Sequence, residues 1–222
     1  MNSFNSIYNF VSGPLVWLAF IIFIGGSIYR IWNLIILVNK KERFIYTYMS
    51  LKYSLRSISH WIVPFATISW RARPVMTITT FIFHAGLVIM PFFISAHVIM
   101  FHNAWGFSWG SLPEGFTDAV TLLVILCCVV FLLRRVALRD VKFLTDASDY
   151  AVLLIAAAPF ITGFLAYHNI GSYHFWIILH ILSGEIMLVA IPFTKLRHML
   201  YAVFTRAYIG SEFGKIRHAR DW

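Results

Sequence analysis

Of 222 residues, 60% are hydrophobic and 12% are charged, with a mean hydropathy of +0.77; soluble domains carry roughly a quarter charged residues. The formal net charge is +9, which in so apolar a chain reads first as membrane topology, and a nucleic-acid partner is not needed to explain it. The two cysteines, Cys127 and Cys128, are adjacent in an apolar run without C-x-x-C spacing, so covalent haem attachment and cysteine-held clusters are excluded from this chain.

The expected fold is an all-α integral membrane protein with five transmembrane helices and no separate soluble domain. The N-terminal MNSFNSIYNFVSGP has neither a basic n-region nor a small-residue cleavage site, so the first apolar run is expected to be a retained anchor. Spans are predicted at about 15–38, 75–102, 116–133, 150–167 and 173–204, the last including an extension beyond the bilayer. Arg30, near the end of the first span, is expected to snorkel to the nearer surface. The connection 39–74 mixes Lys and Arg with Tyr, Phe and Trp, as suits a helix lying in the interface.

Basic residues near span ends stay in the cytoplasm. Seven lie in the first connection, four in the third, six in the tail, and Arg30 completes the eighteen. The N-terminus and the other two loops hold none. This distribution predicts an N-terminus outside and a cytoplasmic C-terminus.

Histidines carry the chemistry. The stretch HILSGEIMLVAIPFTKLRH places His180 and His198 eighteen residues apart, five turns of an unbroken α-helix and about 27 Å. On such a helix they share a face, one near each membrane surface, as a helix serving two bis-histidine haems requires. Gly184 follows His180 by one turn and would let a flat macrocycle approach the backbone. With the predicted topology, depth pairs His84 with His198 and His97 with His180. Intramembrane histidines are costly without a partner and mark function by default. His84 and His97 are thirteen residues apart, about 220° on an ideal helix, but Pro91 between them is expected to kink or unwind the helix and reset its phase. His102 is the rival ligand, in phase with His84 on an unbroken helix; His97 is preferred because His102 borders the HNAWG turn.

The C-terminal motif resembles the last membrane helix of the respiratory nitrate reductase gamma subunit family: a His, a Gly four residues on, a Pro-Phe-Thr-Lys-Leu run, then a second His. The five spans, their orientation and a second helix containing FHAG extend the likeness over nearly the whole chain. The wider ligand spacing with an intervening proline is more similar to members in sulfate-reducer transmembrane redox complexes and membrane-bound heterodisulfide reductases. The resemblance implies a cytochrome b with two haem b groups, the inner on His84 and His198 and the outer on His97 and His180, with Gly86 and Gly184 beside them. It implies electron transfer between menaquinone or another membrane quinone and a cytoplasmic iron–sulfur subunit. Other membrane and periplasmic redox subunits, and the inner membrane of a bacterium or archaeon, go with that expectation.

The remaining polar residues fit around that picture. Glu185, inside the apolar run, is expected to be neutral or hydrogen-bonded, and either takes protons at a quinone site or makes a structural bond. His102, His168 and His174 near the outer surface could cradle a quinone head group, or belong to an interfacial polar belt. Arg71, Arg73, Lys195 and Arg197 could neutralise inner haem propionates. Two other classes remain: a transporter or proton channel using the histidines and Glu185 as a relay, and a haem-free anchor for a cytoplasmic subunit.

Overall fold

The computed structural model describes residues 3–222, and among them every regular element is helical, with no strand. Five helices are long and apolar enough to cross a membrane: α1 (Phe4–Lys41), α3 (Pro74–Phe93), α5 (Glu114–Ala137), α6 (Ala147–Tyr167) and α7 (Tyr173–Phe193). Three others complete the frame: α2 (Leu51–Ile62), α4 (Ser95–Trp105) and α8 (His198–Ser211). Such a chain is a multi-pass membrane protein.

Three boundaries differ from expectation, each for a local reason. The first helix starts well before residue 15, because Pro14 is absorbed in a wide turn at Val11–Leu15 instead of ending the helix. The second span is not one helix to 102: Ile94 is extended (φ −70°, ψ 132°) between α3 and α4, three residues after Pro91, whose missing N–H cannot bond back to the preceding turn. The fifth span does not run on to 204. It stops at Phe193; Thr194 is extended (φ −116°, ψ −170°) and caps a short 3₁₀ turn, Lys195–Arg197, before α8 begins at His198. The unbroken five-turn register between His180 and His198 is therefore corrected.

The chain divides into two compact units. One comprises 78–184 with the N-terminal residues up to Tyr8. Its core is Met90, Val124 and Phe160, flanked by Phe83, Leu87, Val120 and Ile125, so α3, α5 and α6 share one apolar seam. Gly86 makes the α3–α5 approach possible, since a Cβ there would overlap the methyl of Val124. A capping box starts α6: the Asp146 carboxylate accepts from the amides of Ser148 (2.7 Å) and Asp149 (3.3 Å), and Asp149 accepts from the Asp146 amide (3.0 Å).

The other unit comprises 9–77 and 185–222. Here α8 packs on α2 through small residues. Ser54 donates to the carbonyl of Ala207 (3.0 Å) and pairs with Ser211 (3.0 Å), while the Ser50 amide donates to Ser211 Oγ (3.0 Å). A Cβ on Gly210 would lie 2.6 Å from the Tyr53 carbonyl oxygen, so only glycine fits. The tail then folds back: Asp221 accepts from Ser57 and lies 3.8 Å from Arg206, and Trp222 stacks on His60 at 4.0 Å. Burial lowers the pKa of the Arg206 guanidinium and the Asp221 charge opposes that shift.

Candidate functional site

The break at Ile94 leaves the last carbonyls of α3 without their usual partners, and each finds a different one. The Pro91 carbonyl accepts from His97 Nδ1 (2.8 Å), the Phe92 carbonyl from Trp109 Nε1 (2.6 Å) and the Phe93 carbonyl from the Leu112 amide (2.9 Å). Buried backbone groups must be paired somewhere; here the pairing itself orients His97. A carbonyl only accepts, so Nδ1 carries the proton, and in the neutral ring Nε2 keeps its lone pair.

His180 is set the same way from another helix. Its Nδ1 donates to the Pro159 carbonyl on α6 (2.9 Å). Gly163 makes room, since a Cβ there would sit 2.8 Å from His180 Cε1 and 2.9 Å from Nδ1. The imidazoles of His97 and His180 thereby face one another, their centres 5.9 Å apart and their planes 17° from parallel. Below His180, Ser183 donates to its carbonyl (2.8 Å) and pairs with Thr162 (3.2 Å), so neither hydroxyl is left unpaired.

The other two candidate histidines are anchored alike. His84 Nδ1 donates to the Thr80 carbonyl (2.8 Å) and His198 Nδ1 to the Lys195 carbonyl (2.9 Å), and both rings are exposed. They fall in different compact units. His60 shows that the anchor alone is not enough: its Nδ1 also meets a carbonyl, that of Arg56 (2.8 Å), yet its ring is covered by Trp222.

Beside His198 lies an open groove of about 510 Å³ lined by Trp61, Lys195, Arg197, Tyr201 and Arg206 among others. Arg71 and Arg73 do not line it; Arg71 instead donates to the Ala66 carbonyl (3.3 Å). Of the expected basic set, Lys195 and Arg197 are the two brought to His198.

The glycines separate. Gly184 has no atom within 4 Å of an added Cβ, leaving the open space a flat group needs. Gly86 does not: Val124 fills its face, so it is a helix-packing glycine and leaves the cofactor set. The expected cluster of His102, His168 and His174 is dispersed. His102 is exposed at the end of α4, His168 Nε2 pairs with Asp118 (3.1 Å), and His174 packs on Phe4 (4.0 Å). Glu185 is 7% exposed, and neither carboxyl oxygen has a hydrogen-bond partner among the described residues. The expected structural hydrogen bond is thus not found there.

Sequence reasoning missed the Pro159 carbonyl, Gly163, Trp109 and Asp118. Only Gly163 left a trace, as a glycine inside an apolar span that nothing local requires. Among the described residues, no group of three or more His, Cys, Asp and Glu gathers as a metal site; the histidines meet in twos.

No protein-family profile matches the chain, and no solved structure does. A relative from Nitratidesulfovibrio vulgaris strain Hildenborough is 38% identical over 211 residues, spanning 93% of both chains. This chain belongs to one family with that protein, whose name is simply "Protein".

Proposed function

We propose that the chain is a cytochrome b subunit holding two haem b groups, one between His97 and His180 and the other on His84 and His198. The observation that carries this reading is the facing pair: ring centres 5.9 Å apart, each Nδ1 tied to a proline carbonyl and each Nε2 left for a ligand. Metal–imidazole bonds of about 2 Å on each side of one iron put ring centres roughly 6 Å apart, so the residues fit. A second N–H bond to a carbonyl is the usual support of a metal-bound histidine. Haem, when bound, supplies one-electron oxidation and reduction.

The chain's own residues do the rest. The proline carbonyls fix tautomer and ring orientation. Gly184 leaves the space beside His180, and Lys195 and Arg197 offer positive charge beside His198. Glu185, buried without a partner, is the group that takes or yields a proton when quinone is oxidised or reduced. Basic residues on α2, its flanking loops and the tail place a cytoplasmic iron–sulfur subunit on the side we assign as cytoplasmic, with N-terminus outside and C-terminus inside. The host is the inner membrane of a bacterium or archaeon, the quinone a menaquinone or a close analogue, with further membrane and periplasmic redox subunits as partners.

The buried, unpartnered Glu185 is also the observation that favours a proton-relay transporter as a second reading. One measurement separates them. A pyridine haemochrome assay on the purified chain returns about two b haems per polypeptide if the cytochrome reading holds, and none if the relay reading does.

A further inference from the structure

The break between α7 and α8 is held from outside. In an uninterrupted helix the Pro192 carbonyl would accept from the Leu196 amide. That amide instead donates to Thr194 Oγ1 (3.2 Å), while Thr194 bonds back to Ala190 through both its amide (3.0 Å) and its hydroxyl (2.8 Å). The Pro192 carbonyl is left over, and Arg30 Nε of α1 donates to it at 2.9 Å. The guanidinium also lies over the Phe193 ring, 5.9 Å from its centroid, a distance at which a cation is attracted to an aromatic face. Gly26, one turn earlier on α1, brings the helices together: a Cβ there would be 2.9 Å from both Phe193 Cζ and Pro192 Cγ. Arg30 therefore does not snorkel to the nearest water as its place in the sequence suggests.

We infer that Arg30, seated by Gly26, is the positioning residue for His198: it satisfies the carbonyl that the break at Thr194 exposes and so holds the chain in the turn that aims His198. The sequence of dependence is short. If Arg30 is absent, the cheapest way to satisfy the Pro192 carbonyl is to recover the Leu196 amide, which continues α7 and unwinds the Lys195–Arg197 turn. His198 Nδ1 takes its bond from the Lys195 carbonyl inside that turn (2.9 Å), so its ring would lose its anchor and rotate with the helix. A buried carbonyl left unpaired costs about 1–3 kcal/mol, enough to make the alternative competitive. The role assigned to His198 rests on the cytochrome reading; the hold of Arg30 on the break does not.

The experiment uses the full-length chain in detergent or nanodiscs with two variants, Arg30→Leu and Gly26→Ala, the second keeping the guanidinium while pushing Pro192 and Phe193 off α1. Two readouts are taken together: amide hydrogen exchange across Thr194–Tyr201, and the optical and redox titration of each haem. Both variants are expected to raise exchange in that segment about tenfold, with segments of 78–184 unchanged, and to shift or empty one haem while the other titrates as in the parent. Unchanged exchange at Thr194–Tyr201 in both variants overturns the inference, as does an equal change in both haems. If Arg30→Leu does not fold, Gly26→Ala decides by the same criteria. Should the parent chain hold no haem, the cytochrome reading fails while the exchange measurement still decides the hold of Arg30.

Discussion

Two of the membrane helices break shortly after a proline, and the two breaks are solved differently. After Pro91 the exposed carbonyl is taken by His97 of the same chain segment, so the candidate ligand is itself the repair. After Pro192 the carbonyl is taken by Arg30 from another helix, and His198 anchors instead on Lys195 within the new turn. The first break is self-contained; the second depends on a distant residue. Damage at the first should therefore follow from changes at the histidines and their immediate packing, whereas the second can be disturbed without touching a histidine.

The largest test of the first region is His97→Ala, expected to halve haem content from about two to about one per chain, with His102→Ala leaving it unchanged. A pyridine haemochrome assay reads both, and equal losses would remove the preference for His97. Next in size is Gly163→Val, which drives a branched side chain into the His180 imidazole. It should lose the same haem as His97→Ala, while Gly86→Ala, a core overpacking, should lower stability by about 1–3 kcal/mol with both haems retained. Thermal unfolding followed at the haem absorbance distinguishes the two glycines. Glu185→Gln keeps the size and removes the titration, so quinone-dependent haem oxidation should slow with both spectra intact; stopped-flow rates equal to the parent's across pH would leave Glu185 without that role. Smallest is Trp109→Phe, which removes the donor to the Phe92 carbonyl. At that partly exposed site about 0.5–1.5 kcal/mol is expected, seen as a modest fall in unfolding temperature without haem loss.

Much of the frame was legible because its signals are local. Apolar runs of the right length gave the five long helices, and Pro91 between His84 and His97 announced a break that resets helical phase. The break at Thr194 was hidden by its own surroundings. IPFT sits in an apolar run, a proline in the last turn of a helix is tolerated, and nothing in the neighbouring sequence says that Leu196 will turn to a threonine hydroxyl. Partners distant in sequence were out of reach for the same reason: the Pro159 carbonyl is 21 residues from His180, and Arg30 is 162 from Pro192. The tail was expected to be a free docking surface, yet it packs on α2. Its signal was present in Gly210, Ser211 and Gly214 opposite Ser54 and Ser57, a match of small residues on two helices that single-segment reading does not pair.

The Leu112 amide and the Trp109 indole reach back to the carbonyls of Phe93 and Phe92. These bonds turn the loop between α4 and α5 into a measuring tape. Its arc length sets how far the end of α3 is pulled open, and hence where His97 points. One residue inserted between Trp105 and Leu112 would be registered at an imidazole deep in the chain, so among relatives this surface loop should change in sequence far more readily than in length.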